Sequence, residues 1–433
     1  MNRSPESSTA VSIPSHKNYD GIYFIILLLA CAVSVYFAFH HDIFRHFTST
    51  SDNDVVMVYE ALMFNSGLDQ FYFDHPGYIY FLILGPWLTL MKALGFVSVN
   101  SLSELGGPSS TYAEYAQLVF AGRFLSIVLV LCTTWVFHYC VRGFVRNRFI
   151  AVIATALFSI SPGMVTQSLI MRTELPAILF VLFSFAMLLR AVRAGGLRGI
   201  IYLGLCAFAV PLALLSKVQI LPIVMALPIL AFIFHESRTN IDRSIDAFCS
   251  ADTRVSLYFL CVLVSLPAIT MYGGQIYLFG HFRGYQVVIA LYAAASALIY
   301  GRIFHKSWNA GITGLFIVMA GFSLGHYSTL ITNQVENTFV VANVIEHMTR
   351  FSSVYGEVKN TGSLFSSFIQ KFYDTVFLVL SYAYVRDVYV GLAENILYWI
   401  VTLGGVFSFI NKRYRLGLQI GIFLFLALGM IAF

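Results

Sequence analysis

Apolar residues run through this chain in long blocks separated by short polar stretches. A block of about twenty apolar residues suits a helix that crosses a ~30 Å hydrocarbon core at ~1.5 Å per residue. The pattern predicts helices over residues 19–41, 118–140, 149–164, 175–192, 199–215, 218–234, 255–272, 284–300, 310–330, 392–410 and 416–433. The expected fold class is an all-α integral membrane protein with about eleven transmembrane helices.

The polar stretches carry a second pattern. Arg142, Arg146 and Arg148 form one basic cluster, and Arg190, Arg193 and Arg198 a second. Three more follow: Arg238, Arg243 and Arg254; Arg302 and Lys306; Lys412, Arg413 and Arg415. Placed on the cytoplasmic side by the positive-inside rule, they order the spans with the N-terminus inside. The apolar segment 77–95 breaks the alternation, because counting it as a span puts the Arg142 cluster outside. The stretch 96–117 after it holds Glu104 and Glu114 and no Lys or Arg. Residues 42–117 are therefore expected to form one long external loop whose apolar parts lie in the membrane interface. Within it Val55, Val58, Tyr59, Leu62 and Met63 recur at helical spacing, and Asn65-Ser66-Gly67 stop that helix. The resulting division is a cytoplasmic tail 1–18, a first module 19–235 containing the 42–117 loop, and further spans 236–433 with a second external loop 331–370.

Composition agrees with this reading. Hydrophobic residues make up 58% of the chain and charged residues 11%, against about 25% charged in soluble domains. The net charge of +5 lies in short loops, which points to membrane orientation and not to nucleic acid. The six cysteines, Cys31, Cys132, Cys140, Cys206, Cys249 and Cys261, show no CxxC or metal spacing and read as free thiols. The polar N-terminus lacks a cleavage pattern, so the first apolar run is expected to be a retained helix. The last run reaches Phe433, as expected of a fragment or of a chain without a soluble tail.

The charged residues that remain gather, on this topology, at the external face. Asp52 and Asp54 begin the first loop helix; Asp74 and His75 precede the second apolar part of that loop. Arg172 and Glu174 fall in a turn within SLIMRTELPAILF, Lys217 in ALLSKVQILPI, and His281 and Arg283 in GHFRGY. Each has an ordinary explanation. Ser51 to Asp54 has capping-box spacing, His75 precedes a Pro suited to a helix start, and Arg172 and Lys217 can snorkel to headgroups. Their joint occurrence at one face instead suggests a site at the water–lipid boundary. The two acids at 52 and 54 are also spaced to hold a divalent cation or to keep one carboxylate as a base.

The run Asp52-Asn53-Asp54, followed by Tyr72-Phe73-Asp74-His75-Pro76, resembles the polytopic GT-C glycosyltransferases. The likeness is to the bacterial branch related to protein O-mannosyltransferases and the lipid A aminoarabinose transferase. RTELP at 172–176 is similar to that family's second acidic position, and LLSKVQILP at 214–222 to its small-residue-Lys run. The chain has Gly77 where the family usually has a second proline, and Val55 where it usually has a second acid. The likeness covers roughly residues 20–235, which makes 19–235 a GT-C-like catalytic module.

The resemblance implies a membrane glycosyltransferase that moves a sugar from a polyprenyl-phosphate donor to a hydroxyl of a lipid, glycan or protein acceptor, with inversion. Asp54 is then the expected catalytic base. Asp52, Asp74, His75 and Glu174 are expected beside the acceptor or a metal. Arg172, Lys217, Arg123 and Arg283 are expected at the donor phosphate. Asp52 and Asp54 are the candidate ligands if a divalent cation, Mg2+ or Mn2+, takes part. The expected location is a bacterial inner membrane, multi-pass, with the site on the periplasmic or external face. The competing readings are a polytopic transporter or lipid or glycan flippase, which predicts charges in mid-membrane, and a noncatalytic partner that retains the fold.

Overall fold

A computed structural model of the chain describes residues 20–40, 43–46, 54–68, 77–106, 108–145, 147–194, 196–217, 220–234, 256–265, 285–304, 307–331 and 392–410. Every regular element among the described residues is helical. In chain order they are α1 Asp20–His40, α2 Asp54–Asn65, α3 Tyr78–Ala93, α4 Pro108–Phe144, α5 Arg148–Ser159, α6 Pro162–Leu169, α7 Glu174–Ala191, α8 Gly196–Ser216 and α9 Leu221–Phe234. α10 Ser256–Ser265, α11 Tyr285–Phe304, α12 Trp308–Ile331 and α13 Leu392–Ile410 follow. The expected helix 416–433 and loop 331–370 lie outside the described residues, apart from Ile331 itself.

Four of these helices are long and apolar enough to cross a membrane: α4, α7, α8 and α12. A fifth span arises if α5 and α6 count as one. The sequence pattern treats 149–164 as a single span, but the chain bends by 49° there. Ser161 caps α6, its hydroxyl accepting from the Met164 amide, and Pro162 occupies the first helical turn. A proline so placed starts a new helix instead of continuing the old one. α4 also differs from its expected bounds. It begins at Pro108 and has 37 residues, about 56 Å at the helical rise, so its polar first ten residues project beyond an apolar core.

α3 has 16 residues with Pro86 inside it. Its length of about 24 Å falls short of a ~30 Å hydrocarbon core. Leu84 and Leu88 join Met57, Val58, Ala61 and Leu62 of α2 and Leu118, Ala121 and Leu125 of α4 in one buried cluster. Tyr78 and Ile79 at its start pack instead on Leu212 and Leu215 of α8. The loop after α3 is tied back by polar groups. Asn65 donates to the Asn100 carbonyl at 2.8 Å, and Lys92 pairs with Glu104 at 2.6 Å.

A second apolar core joins α7, α8, α9 and α11. Small residues let α12 lie close to α8. A Cβ on Gly321 would sit 2.5 Å from the Gly204 carbonyl oxygen, and one on Gly325 would meet Phe208 and Pro211. Close backbone approach of this kind is how helices associate where burial from water gives little drive. The Cys31, Cys132, Cys140, Cys206 and Cys261 thiols are free.

Candidate functional site

The connections before α3 and α7 meet the end of α8, and the connection before α2 meets α4 and the α6–α7 turn beside them. The first meeting point is charged. Asp54 opens α2 and Arg123 lies in the apolar part of α4, where a cation is stable only with a partner. Arg123 Nε donates to Asp54 Oδ2 at 2.8 Å, and its Nη2 lies 2.7 Å from the same oxygen. Arg123 Nη1 donates to the carbonyls of Ile43 and Arg45 at 2.8 and 2.6 Å. The Met171 amide donates to Asp54 Oδ1 at 2.9 Å. Both side chains are almost wholly buried, at 0% exposure for Asp54 and 2% for Arg123. The pair thus fastens the α1–α2 connection, α4 and the α6–α7 turn together.

The second meeting point follows three residues further on. Glu174 opens α7, where a carboxylate suits the helix dipole. Its Oε1 lies 2.8 Å from Lys217 Nζ, just past the end of α8, and 3.8 Å from Arg172 Nη1. The Arg172, Glu174 and Lys217 side chains are 39%, 27% and 13% exposed, so the cluster is partly open where the Asp54–Arg123 pair is closed. Arg172 Nε is buried without a hydrogen-bond partner.

The third meeting point is backbone. The Gly77 amide donates to the Ser216 carbonyl at 3.2 Å. Gly77 has φ +49°, and a Cβ there would lie 2.9 Å from Phe81 Cζ and 3.0 Å from Thr173 Cγ2. A proline is impossible at this position, because its φ is fixed near −65° and it has no amide to donate. The departure from the DHPP-like pattern is therefore a requirement of this docking. The Tyr80 hydroxyl is also buried close by. Burial raises its pKa most, and the nearby Asp54 carboxylate raises it further.

The structure thus gathers Arg172, Glu174 and Lys217 in one cluster and Asp54 with Arg123 in a neighbouring one. Asp52, Asp74, His75 and Arg283 lie outside the described residues. Two expected roles fall on described residues. Arg123, expected at the donor phosphate, has its guanidinium held by Asp54 and two carbonyls. Asp54 was expected as the base. A base must come within ~2.6–3.2 Å of the hydroxyl it deprotonates, and both Asp54 oxygens already accept from protein donors inside the core. Asp52, the other candidate cation ligand, lies outside the described residues. Arg123 occupies the place at Asp54 that a cation would take, and no group of three metal-ligating side chains occurs among the described residues.

Sequence reasoning missed the Met171 amide, the Ile43 and Arg45 carbonyls, and Tyr80. One signal was present: Arg123 is the single charged residue between Glu114 and Arg142, in a run otherwise suited to lipid.

A polytopic helical bundle with a polar cluster at one helix end has the form of a membrane enzyme or carrier. The comparisons favour the enzyme. Residues 116–264 match the family model described as dolichyl-phosphate-mannose-protein mannosyltransferase. Over this segment the chain is similar to that family of the GT-C superfamily, which with the apolar helices indicates a multi-pass membrane glycosyltransferase. The segment runs from α4 through α10, so it contains Arg123, Met171, Arg172, Glu174 and Lys217, while Asp54 and Gly77 precede it. No curated protein and no solved structure matches the chain.

Proposed function

We propose that the chain transfers a sugar from a polyprenyl-phosphate donor to a hydroxyl of a lipid, glycan or protein acceptor at the external face of a bacterial inner membrane. The observation that carries this reading is the partly open Glu174–Lys217–Arg172 cluster at the end of α8. It sets two cations and one carboxylate within reach of both the membrane and water.

The chemistry assigns the roles. The acceptor hydroxyl oxygen attacks the anomeric carbon, and the bond from that carbon to the donor phosphate breaks. The phosphate leaves on its polyprenyl carrier as a weak base that needs positive charge more than a proton. Arg172 supplies a planar fork to its oxygens and Lys217 a point charge. Both cations lie on Oε1 of Glu174, so Oε2 is the oxygen we give to the hydroxyl proton. A single displacement inverts the anomeric centre. Asp54 and Arg123 do not touch substrate on this reading; they hold the turn that carries Arg172 and Glu174.

The test is a transfer assay with purified protein in detergent and radiolabelled polyprenyl-phosphate sugars. Glu174→Gln is expected to lower kcat by about 10²–10⁴-fold, the usual share of a general base. Lys217→Met is expected to raise the donor KM. Glu174→Gln turnover equal to the parent's removes Glu174 as the base. Absence of transfer by the parent from every donor tried, with any acceptor class, removes the enzymatic reading.

A further inference from the structure

At the opposite end of the bundle α1, α4 and α5 enclose a cleft of about 200 Å³ lined by Phe24, Trp135, His138, Arg142 and Arg148 among others. We propose that this cleft binds the phosphate of an anionic phospholipid from the adjacent leaflet. The proposal does not depend on the transfer reaction.

Position comes first. Arg142 follows Arg123 by nineteen positions along α4, about 28 Å at the helical rise. That distance matches a ~30 Å hydrocarbon core, so the cleft lies at the interface opposite the Glu174 cluster. Charge comes second. Arg142 at the end of α4 and Arg148 at the start of α5 both line the cavity across a short turn, and Arg142 Nη1 also donates to the Val145 carbonyl at 3.4 Å. The sequence has no Asp or Glu from residue 115 to 173; the one acid on the three walls, beyond Glu114 of α4, is Asp20, which opens α1, so the two arginines outnumber it.

The other walls suit a lipid headgroup. His138 Nδ1 lies 2.9 Å from Thr155 Oγ1, which fixes the imidazole between α4 and α5. Phe24 and Trp135 lie with ring centroids 6.0 Å apart and are about half exposed. Aromatic rings at this depth mark the headgroup level. α1 and α5 also expose Ile25, Leu28, Ile153 and Leu157, as surfaces that meet acyl chains do. Basic pockets between helices on the positively charged side are how membrane proteins hold anionic headgroups, and an arginine fork fits two phosphate oxygens at once.

The ordinary explanation is that these arginines only set orientation. Arg190 shows what that looks like here. Its guanidinium lies 4.2 Å from the Tyr139 ring centroid and 5.6 Å from that of Tyr202. Its Nη1 donates to the Tyr202 hydroxyl at 3.3 Å, and it does not line this cavity. It is therefore the internal control.

The experiment uses the full chain in detergent, with native mass spectrometry and Trp fluorescence quenching. The probes are phosphatidylglycerol with brominated acyl chains, the matching phosphatidylcholine, and inorganic phosphate alone. The parent is expected to retain one phosphatidylglycerol and not phosphatidylcholine, with quenching that falls in Trp135→Phe by the share of that ring. Arg142→Ala with Arg148→Ala is expected to weaken retention by about ten-fold or more, while Arg190→Ala leaves it unchanged. Should the double alanine variant fail to fold, Arg142→Lys with Arg148→Lys is expected to weaken retention, because lysine lacks the fork. Equal retention of both lipids, or retention unaffected by either double variant, overturns the proposal. So does binding of inorganic phosphate with displacement of the lipid, which would make free phosphate the ligand.

Discussion

The buried pair of Asp54 and Arg123 makes a quantitative prediction about stability. Removing one partner of a buried ion pair strands the other charge, at a cost of about 3–5 kcal/mol. Arg123→Met strands the Asp54 carboxylate in the core. It also leaves the Ile43 and Arg45 carbonyls without the donor they now share, which adds about 1 kcal/mol each. Asp54→Asn keeps an acceptor for the Met171 amide but leaves the Arg123 cation uncompensated, so its cost should lie near the lower end of that range. The double variant Asp54→Asn with Arg123→Met contains no stranded charge. It should be more stable than the sum of the two single changes predicts, by about 2–3 kcal/mol. Denaturant titration of the purified chain in micelles measures all four corners of the cycle. Single variants as stable as the parent, or a double variant whose loss equals the sum, would refute the assignment of a buried, mutually dependent pair.

Other consequences follow from the same contacts. Gly77→Ala should cost about 1–3 kcal/mol, from its positive φ and the close contacts with Phe81 and Thr173, read as a lower melting midpoint; Gly77→Pro should be worse, since it also removes the bond to Ser216. The Lys92 hydrogen bond, helped by the Asn100 amide, holds the Glu104 carboxyl below its usual 4.5. A depressed folded-state pKa gives stabilisation that is present above the ordinary carboxylate value and lost as pH falls through the lowered one. Hydrogen exchange in residues 94–106 should therefore stay slow at pH 5 and above, and rise only below 4.5. In Lys92→Met it should be fast throughout that range. A single cysteine placed at Ser103 should react with a membrane-impermeant thiol reagent from the side opposite to one placed at Asn147; reaction of both from one side would break the assignment of α4 as a span.

The residues singled out in the sequence that the structure brings together share one property. Glu174, Arg172, Lys217 and Asp54 are charges within or beside apolar runs, where each must have a partner or a function. Their pairing is another matter. Asp54 meets Arg123 at a separation of 69 residues and the Met171 amide at 117, and no local pattern encodes either. Backbone donors such as Met171, and carbonyls such as those of Ile43 and Arg45, are invisible to any argument from residue type. The break between α5 and α6 was written in Ser161-Pro162, but a pattern read over twenty apolar residues averages across two. The early start of α4 was hidden because its first ten residues are polar. The left-handed Gly77 appears in the sequence as a departure from a motif, and only its docking on Ser216 and Thr173 gives that departure a cause.

The arrangement of the two charged clusters separates positioning from chemistry in a way kinetics can read. Met171 and Glu174 are three residues apart, so the bond from Asp54 to the Met171 amide holds the turn from which Glu174 emerges. Any change at Asp54 thus disturbs the Glu174 cluster without Asp54 meeting a substrate. Asp54→Asn should lose activity together with stability, and conditions that restore the fold, such as low temperature, should restore part of the turnover. Glu174→Gln leaves Lys217, whose side chain is 13% exposed, without its carboxylate, so its unfolding midpoint should fall by less than that of Asp54→Asn while its turnover falls by more. The opposite pattern, with Asp54→Asn as stable as the parent but inactive and Glu174→Gln active, would return the base to Asp54. The buried pair would then have to open before the acceptor could bind.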